Sequence, residues 1–203
     1  MIQKKIQRTL PRKADQGFTL IEVMIAIVVM SIGLLAVIAS FATAIAHTQS
    51  AEEDLIARQK VLEAFESIYA ARNAQQVPFA SVANVASGGI FLDGPRPLLC
   101  AGPDGLAGTA DDVVCTTQAG ANCPGLGAEC MVLPGPDGIL GNADDTIMSL
   151  GNFTRTITIT PVQLAGGAGV NQNMIAINIT VNYTKAGIPA RSFTANGLIS
   201  RYH

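Results

Sequence analysis

The apolar positions of this 203-residue chain follow three different rhythms. From Val23 to Phe41 the sequence runs 19 residues without a charge or a proline. As a helix, that run spans about 28 Å, close to the hydrocarbon thickness of a bilayer. From His47 to Arg72 the pattern turns amphipathic. Leu55, Leu62 and Tyr69 recur every seven residues, with Val61, Phe65 and Ile68 beside them. Glu52, Glu53, Asp54, Arg58, Lys60, Glu63 and Glu66 fall mostly on other faces. This half is expected to lay its apolar stripe on a sheet. Pro78 and the stretch Ser87–Gly89 place its end between Arg72 and Pro78.

Beyond residue 152 the period drops to two. "NFTRTITIT" puts Phe153, Arg155, Ile157 and Ile159 on one face. "MIAINITVNYT" sets Ile175, Ile177, Ile179, Val181 and Tyr183 opposite Ala176, Asn178, Thr180 and Asn182. "RSFTANGLISRY" is the third run. Its β-branched neighbours and the links "LAGGAG" and "KAGIPA" predict an antiparallel meander. The expected fold is therefore α+β. One long N-terminal helix, membrane-spanning in its first half and amphipathic in its second, packs on a C-terminal antiparallel sheet. The expected segments are a basic leader over 1–17, an apolar helix over 18–46 and an amphipathic helix over 47–76. A loop region over 77–152 and the sheet over 153–203 follow.

Charge sharpens this picture. Formal net charge is −2, from 13 basic and 15 acidic residues. Residues 1–17 hold Lys4, Lys5, Arg8, Arg12 and Lys13 against Asp15, so the remainder carries 8 basic and 14 acidic residues, a net of −6. With no basic patch outside the leader, nucleic acid is excluded as a partner. Basic residues ahead of an apolar helix keep the N-terminus cytoplasmic and send the rest across the membrane. A secretory signal peptide fits poorly. The apolar run is too long, no A-x-A site follows cleanly, and Glu22 interrupts its start.

"GFTLIEVMIAIVVMSIGLLA" resembles the class III signal of type IV prepilins and pseudopilins. The resemblance covers roughly the first 50 residues, and "MIAIVVMSIGLLAV" is most similar to the minor pilins called type IV pilus modification proteins. It implies that prepilin peptidase cuts after Gly17 on the cytoplasmic side. Phe18 then becomes the N-methylated first residue and Glu22 the fifth. It also implies a single-pass inner-membrane protein that moves, through the pilus assembly machinery and beside other pilin subunits, into a periplasmic or cell-surface filament. The residues suit these roles on physical grounds. Glycine gives close access to the scissile backbone. A carboxylate at membrane depth costs roughly 2.5–3.5 kcal/mol and should have a partner. The Phe18 ammonium of an adjacent chain is one; snorkelling to the interface is the alternative reading of Glu22.

Four cysteines, Cys100, Cys115, Cys123 and Cys130, lie in the loop region. An even, clustered set in an exported chain reads as two disulfides, with three possible pairings. A zinc site is disfavoured because no C-x₂-C pair is present. The same region repeats itself: "GPDGLAGTADDV" begins at Gly102 and "GPDGILGNADDT" at Gly135, 33 residues apart. P-D-G is a turn signal, and acidic residues keep turns solvated. The alternative is Ca²⁺, which takes six to eight oxygens from carboxylates and carbonyls on a curved loop. Asp104, Asp111 and Asp112 would serve one ion, and Asp137, Asp144 and Asp145 a second. The spacing is similar to the D-G…D-D calcium loop of major pseudopilins, though it is not an EF-hand.

Four functions fit this inventory to different degrees. A structural filament subunit fits best. A type II secretion pseudopilin or a filament-tip adhesin are its near alternatives. A membrane-anchored enzyme fits worst: His47 and His203 have no plausible catalytic partners, and no G-x-S-x-G is present.

Overall fold

A computed structural model describes residues 17–118, 121–123, 127–167, 169–185 and 188–202. The leader residues 1–16 and His203 lie outside the described residues. The chain forms two compact units that meet after Gln49. One helix, α1 (Leu20–Asn73), contributes to both.

In the first unit, every side chain described between Phe18 and Thr48 is exposed. Leu20, Ile21, Ile25, Ile32, Leu35 and Phe41 are each more than half exposed. A soluble helix buries one stripe, whereas this one buries none. The hydroxyls along it bond to the helix's own carbonyls: Ser31 donates to Ile27 at 2.7 Å, Thr43 to Ser40 at 2.8 Å and Thr48 to Ala44 at 3.0 Å. These three hydroxyls therefore need no water, which suits a hydrocarbon environment. The helix is long and apolar enough to cross a membrane, with a mean hydropathy of 2.8 over its best window.

The second unit contains a four-stranded antiparallel sheet in the order β1 (Arg96–Pro97), β6 (Phe153–Gln163), β7 (Val170–Lys185), β8 (Ile188–Ser200). Two short hairpins precede β6: β2 (Thr117–Gln118) with β3 (Ala121–Asn122), and β4 (Cys130–Leu133) with β5 (Thr146–Ser149). The period-two reading holds. Phe153 pairs with Tyr183, Ile157 with Ile179 and Ile159 with Ile177, all buried on one face. Opposite them lies a polar surface, on which Thr180 meets Thr194 at 2.8 Å and Asn178 meets Asn196 at 2.5 Å. β1 covers only Thr154 and Arg155 of β6. The edge beyond is satisfied by a buried side chain: Asn84 donates to the Ile157 carbonyl at 2.8 Å and accepts from the Ile159 N–H at 2.7 Å. Pro161 follows where no strand pairs on that side, so its missing N–H costs nothing.

From Ser50 the helix packs on this sheet with part of the expected stripe: Val61, Phe65 and Ile68 are buried and Tyr69 packs against the core. Leu55 and Leu62 are 65% and 50% exposed. The buried line is Ile56, Ala57, Val61, Ala64, Phe65, Ile68 and Ala71. Its seven-residue recurrence is alanine, at 57, 64 and 71. Small side chains let the helix backbone approach the sheet, and the larger Ile and Phe neighbours fill the flanks. Gly197 of β8 completes the fit: a Cβ there would come 2.7 Å from both Phe65 and Tyr69. Polar ties lock the two layers. The Tyr69 hydroxyl donates to the Leu198 carbonyl at 3.0 Å, and Arg72 donates to that of Arg201 at 2.7 Å. Asp54 pairs with Arg191 at 2.7 Å and accepts from the Tyr183 hydroxyl.

Candidate functional site

The N-terminal signal is positioned by the start of α1. Thr19 sits just before the helix, and its carbonyl and hydroxyl both accept from the Glu22 N–H, at 3.1 and 3.4 Å. Thr19 and Glu22 thus occupy the N-cap and N3 positions of a T-x-x-E capping box, a signal the apolar reading passed over. A carboxylate in the first turn also faces the positive end of the helix dipole. Phe18, 82% exposed, precedes the cap. A Cβ built on Gly17 meets nothing within 4 Å. Among the described residues, nothing in the packing requires glycine there.

The two acidic loops are the same structure built twice. Each crosses a hairpin, closed by Cys100 opposite Val113 in the first and by Leu133 opposite Thr146 in the second. The P-D turn is closed by Gly105 N–H to Gly102 O and by Gly138 N–H to Gly135 O, both at 3.0 Å. Gly105 and Gly138 have φ of 68° and 72°, which side chains rarely adopt. Asp104 accepts from Leu106 N–H and Asp137 from Ile139 N–H, both at 2.8 Å. Asp112 accepts from Gly108 N–H at 2.7 Å, and Asp145 from Gly141 N–H at 2.6 Å. Gly102 and Gly135 leave the space that the Asp111 and Asp144 carboxylates fill.

Their surroundings differ. The first loop is set into the core, with Leu106, Ala107 and Thr109 buried and Gly108 against Ile157. In the second, Ile139 and Leu140 are 63% and 59% exposed. Hydrogen bonding from the Thr109 hydroxyl holds the Asp111 carboxyl below its usual range. Burial pushes Asp112 the other way, against the Gly108 N–H and the charge of Arg155. Asp145 Oδ1 is buried with no hydrogen-bond partner. Among the described residues, no three His, Cys, Asp or Glu side chains converge as a metal cage.

Behind the first loop lies a buried ionic cluster that composition gave no hint of. Lys60, Glu129 and Arg155 are each 5% exposed or less. Lys60 Nζ reaches Glu129 at 2.5 Å and Glu63 at 2.7 Å. Burial alone would lower the Lys60 ammonium, but Glu129 and Glu63 outweigh it and hold the pKa above its ordinary value. Arg155 is pulled below its ordinary value by burial, opposed by Glu129, Asp112 and Glu63. Disulfides fix this neighbourhood: Cys100 pairs with Cys115, and Cys123 with Cys130, which adjoins Glu129. No cysteine is free among the described residues.

Residues 12–38 match a family model described as the prokaryotic N-terminal methylation motif. The matched segment contains Gly17, Phe18 and Glu22. No curated protein and no solved structure matches the chain. The methylation motif and the helix-on-sheet fold together support a type IV pilin-like protein. The motif and the exposed apolar helix mark it as membrane-anchored.

Proposed function

We propose that this chain is a structural rather than a catalytic protein: a minor pilin of a type IV pilus or related filament, of the kind called type IV pilus modification proteins. The observation that carries the reading is the methylation motif leading into an apolar helical run, Phe18 to Thr48, with no buried side chain. Prepilin peptidase cuts after Gly17, and Phe18 becomes the methylated N-terminus. The apolar helix holds the subunit in the inner membrane until assembly packs it against those of other pilins. Mass spectrometry of the membrane-derived chain should find N-methyl-Phe18 as its first residue. Gly17→Leu should block the cut. An intact 1–17 segment in assembled material would overturn the reading.

We also propose that the duplicated loops take Ca²⁺, one ion each. Asp104, Asp111 and Asp112 would hold the first, and Asp137, Asp144 and Asp145 the second. The cradles under Gly102 and Gly135 and the unpartnered Asp145 Oδ1 support this. The carboxylates now spend oxygens on N–H groups of their own loop, so binding requires them to trade those bonds for the ion. An ion at a hundredfold excess over its Kd stabilises the fold by about 2.7 kcal/mol. The full chain in detergent should therefore melt higher in millimolar calcium than in chelator, and Asp111→Ala with Asp144→Ala should remove the difference. Equal melting in both conditions, with no ion seen by calorimetry, leaves only hydrogen-bonded turns.

A further inference from the structure

The duplication supplies its own comparison. In the first loop, Leu106 is 1% exposed and Ala107 8% exposed, seated among residues of this chain's core. In the second, the residues at the same two positions are Ile139 and Leu140, larger and mostly exposed. The backbone turn, the glycine conformations and the Asp hydrogen bonds are alike in both. One copy therefore shows how such a tip sits when it is docked, and the other presents a tip with nothing over it. Three carboxylates flank that tip: Asp137, Asp144 and Asp145.

A cleft at the far end of the same unit has the opposite character. It measures about 490 Å³ and is lined by Gln75, Val77, Pro78, Phe79, Ala80 and Arg201, with Arg72 beneath. Both guanidinium groups stand over the Phe79 ring, each 6.0 Å from its centroid. Among the described residues, no acidic side chain lines it.

We infer that the Ile139–Leu140 tip of one copy docks in the Phe79 cleft of a second copy. The apolar pair covers Phe79, Val77 and Pro78, and the flanking aspartates face Arg201, the exposed guanidinium of the cleft. With a calcium ion in the loop, its three acids still leave a net −1, so the attraction keeps its sign. The tip cannot serve its own cleft. Leu140 lies beside Gln59 and Lys60, and the helix runs from there to Asn73 before the cleft begins. That is about 20 Å at 1.5 Å per residue. Because tip and cleft are different patches, the contact is heterologous: it joins neighbouring copies head to tail rather than as a closed two-fold pair. It deepens the filament reading and rests on it for the side-by-side arrangement of subunits.

Leu140→Cys and Ala80→Cys change exposed residues, in a chain whose described cysteines are all disulfide-bonded. Purified full chain in detergent, treated with a short bis-maleimide, should give dimers when the two single variants are mixed. The double variant should give a ladder of multimers. Yields should exceed either single variant alone by about tenfold, and Arg201→Glu should lower them by about tenfold because like charges then face each other. Asp144→Arg on the tip-bearing chain should restore them. No adduct above the single-variant level overturns the contact, as does Leu140→Cys dimerising alone as strongly as the mixture. Filament yield from sheared cells is scored separately. Adducts without filaments keep the contact and reject the filament reading; filaments without adducts do the reverse.

Discussion

Glu129→Leu is expected to destabilise the unit from Ser50 onward by about 3–5 kcal/mol, the cost of stranding buried charge. Glu129 is the buried anion that Lys60 reaches at 2.5 Å, and its charge also faces Arg155. Without it, Lys60 keeps only Glu63, whose side chain is half exposed and screened by water. Arg155, already buried with Nη1 unbonded, keeps only Asp112 and the more distant Glu63. Lys60→Met together with Glu129→Leu should cost less than Glu129→Leu alone, since one stranded cation is then gone. Urea unfolding of the four proteins measures the coupling. A double variant as unstable as the sum of the singles would show that the pair is not coupled.

The pH dependence gives this prediction a sign. The folded Lys60 pKa lies above its ordinary value of 10.5, because Glu129 and Glu63 outweigh burial. Its stabilisation is therefore complete below the unfolded lysine value of about 10.4 and is lost as pH rises through the folded one. In Glu129→Leu, burial would dominate and the folded pKa would fall below the unfolded one. That variant should gain stability as the pH climbs toward 10, while the parent holds steady and then declines. Parallel pH profiles would mean that Lys60 is not the group responsible.

Which parts of this molecule were legible in the sequence follows from where each signal is written. The strands could be read because alternation is a property of the strand itself: Phe153 to Ile159 and Ile175 to Tyr183 need only one buried face. The helix face was legible at Val61, Phe65 and Ile68 and misread at Leu55 and Leu62, because its edge depends on the partner. Leu55 and Leu62 carry more apolar surface than Ala57, Ala64 and Ala71, yet a sheet that comes close selects the alanines. Gly197 is the matching concession on β8. Lys60, Glu129 and Arg155 could not be found as a cluster, since they come from a helix, a loop hairpin and a strand far apart in the chain. The disulfide pairing was closed to inspection for the same reason, with three pairings compatible with the spacing. The repeat was visible as a repeat. What no pattern revealed is that one copy is docked and the other exposed, because burial is decided by what surrounds each loop.

Glu22→Gln should leave the start of α1 intact while reducing incorporation into filaments by about a hundredfold. The T-x-x-E sequence gives Glu22 a local role that the replacement preserves. It stands at N3 of a capping box headed by Thr19, and glutamine serves in that position as well as glutamate. What glutamine removes is the charge. Toward the helix dipole, that charge is worth about 0.3–1 kcal/mol, too little to decide assembly. Toward the ammonium of a neighbour's Phe18 in an apolar filament core, losing one partner is worth about 3–5 kcal/mol, or a hundredfold and more. Membrane insertion should stay at the parent level or rise, since a costly carboxylate has gone. Immunoblots of the sheared filament fraction and of the membrane pool, alongside helicity by circular dichroism, separate the two roles. Filament incorporation at the parent level would leave Glu22 as a capping residue alone. A fall in filaments with helicity and membrane level unchanged would place its function between subunits.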